Sequence, residues 1–219
     1  MQNRLSIDKI PFFTPAAKPY EKTYGYWTVR WWKWFLSTPK SINPVVDWSG
    51  KFAYVNQPSN DVWFLAGKVV SEDKKLPRRF CRIPTGRSIL FPVINYEANQ
   101  LEFPELRTFE DIVDRVKLEE DTITEKTCCV NGISIPPQRV RSDPIIFWLR
   151  FGADNVTNVK GGNAYGSADG YWVFLKPLLP GNYDISFHGS CRYGKVYSGA
   201  RYHIEISQVD NNKCEMVDS

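Results

Sequence analysis

The spacing of apolar residues changes character twice along the chain. Between Tyr24 and Phe35 the segment YGYWTVRWWKWF places Trp27, Trp31, Trp32 and Trp34 within eight positions. At about 100° per residue these indoles share one broad arc with Tyr24 and Phe35. Leu36 and Val29 widen the arc, and only Tyr26, Arg30 and Lys33 leave a polar wedge. A ligand platform would show a narrow aromatic stripe opposite a wide polar face, whereas a helix this apolar around its circumference is buried on most sides. The pattern predicts a core helix from near Thr23 to just before Pro39, with Trp32 or Trp34 free to line a pocket by one edge.

From Val62 onward the pattern shortens to β-rich runs of alternating or continuous apolar residues. VWFLAG (62–67), RRFCRI (78–83), SILFPVI (88–94), IIFWLRF (145–151), YWVFLK (171–176), YDISFH (183–188) and RYHIEIS (201–207) are rich in β-branched and aromatic side chains. Seven such runs predict a mainly β (α+β) fold, an antiparallel β-sandwich of jelly-roll type. IPTGR and LLPGNY supply turn residues, and the second reads as the loop of a hairpin joining Tyr171–Lys176 to Tyr183–His188. GGNAYGSADG (161–170) reads as a flexible loop leading into the Tyr171 strand and as a candidate wall of a site.

One helical period interrupts the strands. In PELRTFEDIVDRVKLEED (104–121), Phe109, Ile112, Val113 and Val116 fall at i, i+3, i+4 and i+7, and Thr108 with Asp111 forms a capping-box pattern. This predicts a second, short amphipathic helix. Before the first helix, Pro11, Pro15 and Pro19 exclude a continuous helix and predict an extended arm over residues 1–21, pinned by Phe12 and Phe13. A single sandwich domain over 22–209 and a polar tail over 210–219 complete the organisation.

Composition adds an aromatic excess to this picture. The 219 residues are 42% apolar and 24% charged, ordinary values, but 15% aromatic with eight Trp, a bias that accompanies β-rich cores and binding surfaces. The net charge of +4 falls short of the basic stripe of a nucleic-acid binder, so no nucleic-acid partner is expected. No stretch approaches the roughly 18 apolar residues of a membrane span, and MQNRLSIDKIPFF lacks a signal-peptide core. The expected compartment is intracellular, or extracellular if a leader has been removed. Cys81, Cys128, Cys129, Cys191 and Cys214 form an odd set without a C-x-x-C pair, which predicts reduced thiols.

Candidate chemistry is sparse, and neither a cofactor nor a metal is expected. His188 and His203 are the two histidines, and with Glu205 they are the candidates for a metal site, but their spacing matches no recognised metal motif. No G-x-S-x-G elbow or phosphate loop occurs. Acid and base chemistry would fall to Glu97 and Asp169, with Asp47 a third carboxylate; Asp47 and Asp169 also read as turn initiators in DWSG and DG. Arg78, Arg79, Arg82 and Arg87 cluster around one strand and turn. Alternation sends Arg79 inward with Cys81 and Ile83, where a buried guanidinium needs a partner, and Asp47 or Glu97 is the expected one.

YGYWTVRWWKWFLSTPKSINPVVDWSG (24–50), VWFLAG (62–67), RRFCRIPTGRSILFPVIN (78–95), DGYWVFLKPLLPGNYDISFHGS (169–190) and YHIEI (202–206) together resemble the motif order of an uncharacterised family of bacterial and archaeal proteins, many of them secreted. The resemblance spans most of the chain outside the arm and the 97–145 region, and implies no activity. Secreted members of that family place a further cysteine near the position of Ala53, able to pair with the equivalent of Cys81. Ala53 stands there in this chain, which implies no such disulfide and agrees with a reducing compartment.

Three functions fit these residues. The first is a non-catalytic binding or assembly module for a carbohydrate or other small molecule, with Trp32, Trp34, Arg79, Arg87, Tyr165 and Tyr171 as the ligand-binding candidates. The second is a hydrolase whose catalytic candidates are Glu97 and Asp169, with Arg79 as an anion stabiliser. The third is a homo-oligomer or filament subunit built through strand edges and the N-terminal arm. The absence of a catalytic constellation favours the first.

Overall fold

A computed structural model describes residues 10–70, 75–192 and 195–208. The tail over 210–219, Cys214 and the arm before Ile10 lie outside the described residues. The Trp-rich segment folds as α1 (Tyr24–Ser37), capped by Thr23, whose hydroxyl accepts from the Tyr26 N–H. Its four indoles are all buried. Three donate to carbonyls: Trp27 to Pro19, Trp31 to Leu65 and Trp34 to Val55.

The chain is mainly β, and its strands form two packed sheets. The first sheet holds β1 (Val62–Phe64), β4 (Ser88–Asn99), β9 (Gly162–Leu175), β7 (Gln138–Arg139) and β8 (Phe147–Phe151). The second holds β2 (Lys68–Val70), β11 (Val196–Ser207), β10 (Gly181–Cys191), β5 (Glu125–Val130), β6 (Ile133–Ser134) and β3 (Arg78–Pro84). Pairing is antiparallel except between β1 and β4 and between β3 and β11.

Each face of the first sheet buries a different cluster. Ile89, Phe91, Val173 and Leu175 point to the second sheet and meet Ile185, Phe187, Tyr202 and Ile204. Leu90, Trp172 and Phe174 point the other way, into the indoles of α1. This accounts for the continuous apolar runs in β4 and β9: a strand covered on both faces has no polar side to alternate with. α2 (Phe109–Glu120) lies against the first sheet, packing Ile112 and Val116 against Ala98 and Tyr96 of β4. No helix among the described residues is long and apolar enough to cross a membrane.

Two expectations are corrected. The segment LLPGNY does not close a hairpin, because β9 pairs with β4, β7 and β8 while β10 pairs with β5 and β11. It crosses between sheets instead, with Leu178 buried in the core it spans. Pro and Gly mark a reversal without dictating whether the returning strand bonds to the first or stacks about 10 Å above it. The stretch 161–170 is not a loop, since nearly all of it belongs to the 14-residue strand β9. Its small residues serve close packing: a Cβ on Gly170 would collide with Asn95, and one on Gly166 with Glu97. The described arm is held at Phe12 and Phe13, and it adds to its own sheet: Phe12 bridges Leu175, and the Phe13 N–H donates to Phe174 O.

The second helix carries its expected cap. Thr108 accepts from the Asp111 N–H while the Asp111 carboxylate accepts from the Thr108 N–H. Thr108→Ala should cost about 1 kcal/mol in a urea unfolding experiment, the usual value for a lost cap. Phe109, expected on the apolar stripe, is half-exposed and sets its ring against the edge of Tyr165.

Candidate functional site

β1 is short and pairs with β4 only across Ser88–Leu90. Beyond Leu90 that edge of β4 has no strand partner among the described residues, and the register with β9 shifts between Pro92 and Ile94. A bulge at a free edge bends the strand and re-aims its side chains. A cavity of about 280 Å³ opens around this edge. Trp31, Trp32 and Phe35 of α1 form one wall, Glu119, Glu120 and Ile123 from the end of α2 another, and Cys191, Arg192, Val196 and Ser198 of the second sheet a third.

The walls are aromatic and well fixed. Trp31 stacks on Phe35 with centroids 5.1 Å apart, Trp32 meets both rings edge-on, and Trp31 also abuts Trp172. Val45, Val69, Val93 and Ile94 complete an apolar lining. Against this background the polar atoms stand out. Trp32 Nε1, Asn95 Nδ2, Tyr96 Oη and both carboxylate oxygens of Glu120 are buried without a hydrogen-bond partner among the described residues, and all four residues line the cavity. Arg115 approaches the Tyr96 hydroxyl, and the Tyr96 amide approaches Glu120, without either closing a hydrogen bond.

Glu120 is 2% exposed. Burial first, then the neighbouring Asp169 charge, push its carboxyl up to about 9, so it is held as the neutral acid at neutral pH. At the rim, Arg192 grips Glu119 through two bonds of 2.7 and 2.6 Å. Orphaned buried polar groups each cost free energy, and five such atoms around one cavity mark a place built for something that completes them.

Two other depressions differ in this respect. A groove of about 550 Å³ runs along the polar wedge of α1 past Tyr26, Arg30, Lys33, Trp34 and Trp148. A shallow basin of about 730 Å³ covers Arg79, Phe80, Asp184 and His203 on the second sheet. Both are larger, but neither is lined by a residue carrying an orphaned buried polar atom.

The sequence-derived candidates distribute unevenly over these places. Trp32 lines the cavity, while Trp34 lies on the α1 groove with its indole N–H committed to Val55 O. Arg87 sits over the Trp63 ring and donates to Ser59 O and Asn60 Oδ1. Tyr165 packs edge-on against Trp148 and Phe109 in an exposed aromatic group, and Tyr171 lies under Lys126. None of these three lines the cavity.

The catalytic candidates do not converge. Glu97 pairs with Ala168 and Tyr96 with Asp169, so strand alternation sends Glu97 and Asp169 to opposite faces of the first sheet. Glu97 is held with Glu102 by Asn99, and burial with the Glu102 charge drives its carboxyl well above the usual range. Asp169 initiates no turn; within β9 it accepts from Arg139 and from the Gly170 N–H.

Arg79 belongs to the second sheet and is buried as expected, but its partner is not a carboxylate. It donates to the carbonyls of Asp47, Ala66 and Val45 and to the Tyr202 hydroxyl. The Asp47 carboxylate instead accepts from Ser49 and Phe52, as a turn initiator does, and those bonds with the Arg79 charge hold its pKa low despite burial. His188 bonds Glu125 and His203 bonds Asp184. The histidines stand on adjacent strands about four residues out of register, roughly 13 Å along the sheet at 3.3 Å per residue, so they do not share a metal.

Glu120, Tyr96 and Asn95 were not singled out by sequence. The legible signal was the stripe Ile112, Val116, Glu120, which carries a carboxylate onto the buried face of α2 at the next i+4 position. Comparison of the chain with protein-family models, with curated proteins and with solved structures finds no match. The functional reading therefore rests on this geometry.

Proposed function

We propose that the protein is a non-catalytic binding module that holds a small molecule in the cavity at the free edge of β4. The carrying observation is the set of unpartnered buried polar atoms on Trp32, Asn95, Tyr96 and Glu120 around an aromatic and aliphatic lining. An apolar pocket with a few convergent polar groups is the usual form of a small-molecule site. The lining favours a compact ligand with an apolar body and a few polar atoms over an extended glycan. The separation of Glu97 from Asp169 leaves the hydrolase reading without its carboxylate pair.

Thermal unfolding in the presence of a small-molecule panel tests the proposal. A ligand at about 100 times its Kd stabilises the native state by about 2.7 kcal/mol, a shift of several degrees. Ser198→Phe, which places a ring into the cavity from the second sheet, should retain the fold and abolish that shift. A ligand that shifts both proteins equally binds elsewhere and contradicts the assignment.

A further inference from the structure

We infer that the cavity is selective for a cationic amine, whose ammonium group would sit between the Glu120 carboxylate and the aromatic wall of Trp31, Trp32 and Phe35. The inference rests on the binding reading above and adds the charge and chemical class of the ligand.

Four carboxylates gather at this end of the molecule: Glu119, Glu120, Asp121 and Asp169. The guanidinium groups among them are already committed. Arg192 is bidentate on Glu119, Arg139 bridges Asp169 and Asp121, and Arg141 lies 3.8 Å from Asp169. Among the described residues Glu120 is the one carboxylate of this group that closes no ion pair, although with Glu119 it lines the cavity; the Arg139 charge reaches it but is bonded to Asp169 and Asp121. Around it also stand Tyr96 from β4 and Cys191 from β10, and the Arg115 that approaches Tyr96 is paired with Glu105. Lys126 is occupied over the Tyr171 ring. With Glu120 protonated the group is balanced, and its ionised form would leave the cavity one positive charge short.

The shape of the walls agrees. An ammonium is attracted to aromatic faces within about 6 Å, most strongly to indole, and more so when water is excluded. A carboxylic acid without a cation beside it stays protonated when buried, as Glu120 does. Arrival of an ammonium reverses this: the Glu120 carboxyl gives its proton to bulk solvent, and the resulting carboxylate accepts N–H bonds from the ligand. Trp32 Nε1 and Asn95 Nδ2 are donors, so they require acceptors on the same molecule, such as a hydroxyl or ether oxygen. An amine with an apolar body and one such oxygen satisfies the whole set.

Isothermal titration of the intact protein with 2-phenylethylamine, and with its neutral isostere 2-phenylethanol, tests the inference. At pH 7 the amine should bind at least about tenfold more tightly than the alcohol. Titration in buffers of different ionisation enthalpy should show release of close to one proton per amine bound. In Glu120→Gln, which keeps the shape and a neutral group and whose folding is checked by its melting curve, both the preference and the proton release should vanish. Equal or tighter binding of the alcohol, or a preference that survives in Glu120→Gln, overturns the amine assignment while leaving the cavity as a binding site. Failure of 2-phenylethylamine, benzylamine and methylamine to bind at millimolar concentration overturns it as well; if neutral compounds still give the Ser198-dependent thermal shift, the binding proposal stands without it.

Discussion

Arg79→Met should destabilise the protein by about 3 kcal/mol or more, read as a lowered urea midpoint with an unchanged slope. Methionine fills much of the same volume, so the loss comes from hydrogen bonding and not from a void. The guanidinium satisfies the carbonyls of Val45, Asp47 and Ala66 and the Tyr202 hydroxyl, and it tethers the loop after α1 to the second sheet. Removing it leaves several buried acceptors unpaired, each worth about 1–3 kcal/mol. Lysine cannot reproduce the planar fork and should recover only part of the loss. If Arg79→Met were neutral, the carbonyl cradle would not be what holds that loop.

Between about pH 5 and 8.5 the protein should lose stability as the pH rises, against the usual trend of acid lability. The cause is a set of buried carboxylic acids. Glu120 titrates near 9 in the folded state against 4.5 as a free side chain, and burial raises Glu97 and Glu102 in the same direction. Above 4.5 the unfolded chain releases protons that the folded protein retains, so the native state binds more protons and unfolding becomes easier with rising pH. Stabilisation from these groups is complete below about 4.5 and is lost as the pH climbs through their folded values. Each group contributes a slope of up to about 1.4 kcal/mol per pH unit within its window. Asp47 works in the opposite sense, because its folded value is lowered, and its contribution disappears only below its ordinary range near 3.8. Urea midpoints measured across the window should therefore fall with pH, and Glu120→Gln should remove its share of the slope. A flat or rising profile would show these acids to be ionised in the native state.

The elements were largely legible in the sequence, and their partners were not. α1 with its Thr23 cap, the Thr108–Asp111 capping box and all seven predicted strand cores follow from periodicity and local hydrogen bonding, which act over a few residues. Strand partnership is set by long-range packing. The crossing from β9 to β10 and the identity of 162–170 as strand both depended on contacts with β4 and β8, invisible to local spacing. The inward turn of Arg79 was readable from alternation, but its carbonyl partners lie 13 to 34 residues away and carry no side-chain signature. At the cavity, Trp32 was named and Glu120 was not. An indole announces itself by type, whereas a buried acid looks like any surface Glu until the helix stripe is followed one turn further.

The central claim, that the free edge of β4 forms a small-molecule site, is tested most directly by crystals of the protein soaked with a mixed set of amine and neutral fragments. The account predicts ligand density in the cavity between Trp32 and Glu120, with at least two of the atoms Trp32 Nε1, Asn95 Nδ2, Tyr96 Oη and Glu120 Oε bonded to it. Fragments that settle only in the α1 groove, in the Phe80 basin or on the Trp148–Tyr165 surface, with the cavity filled by its own side chains, would contradict it.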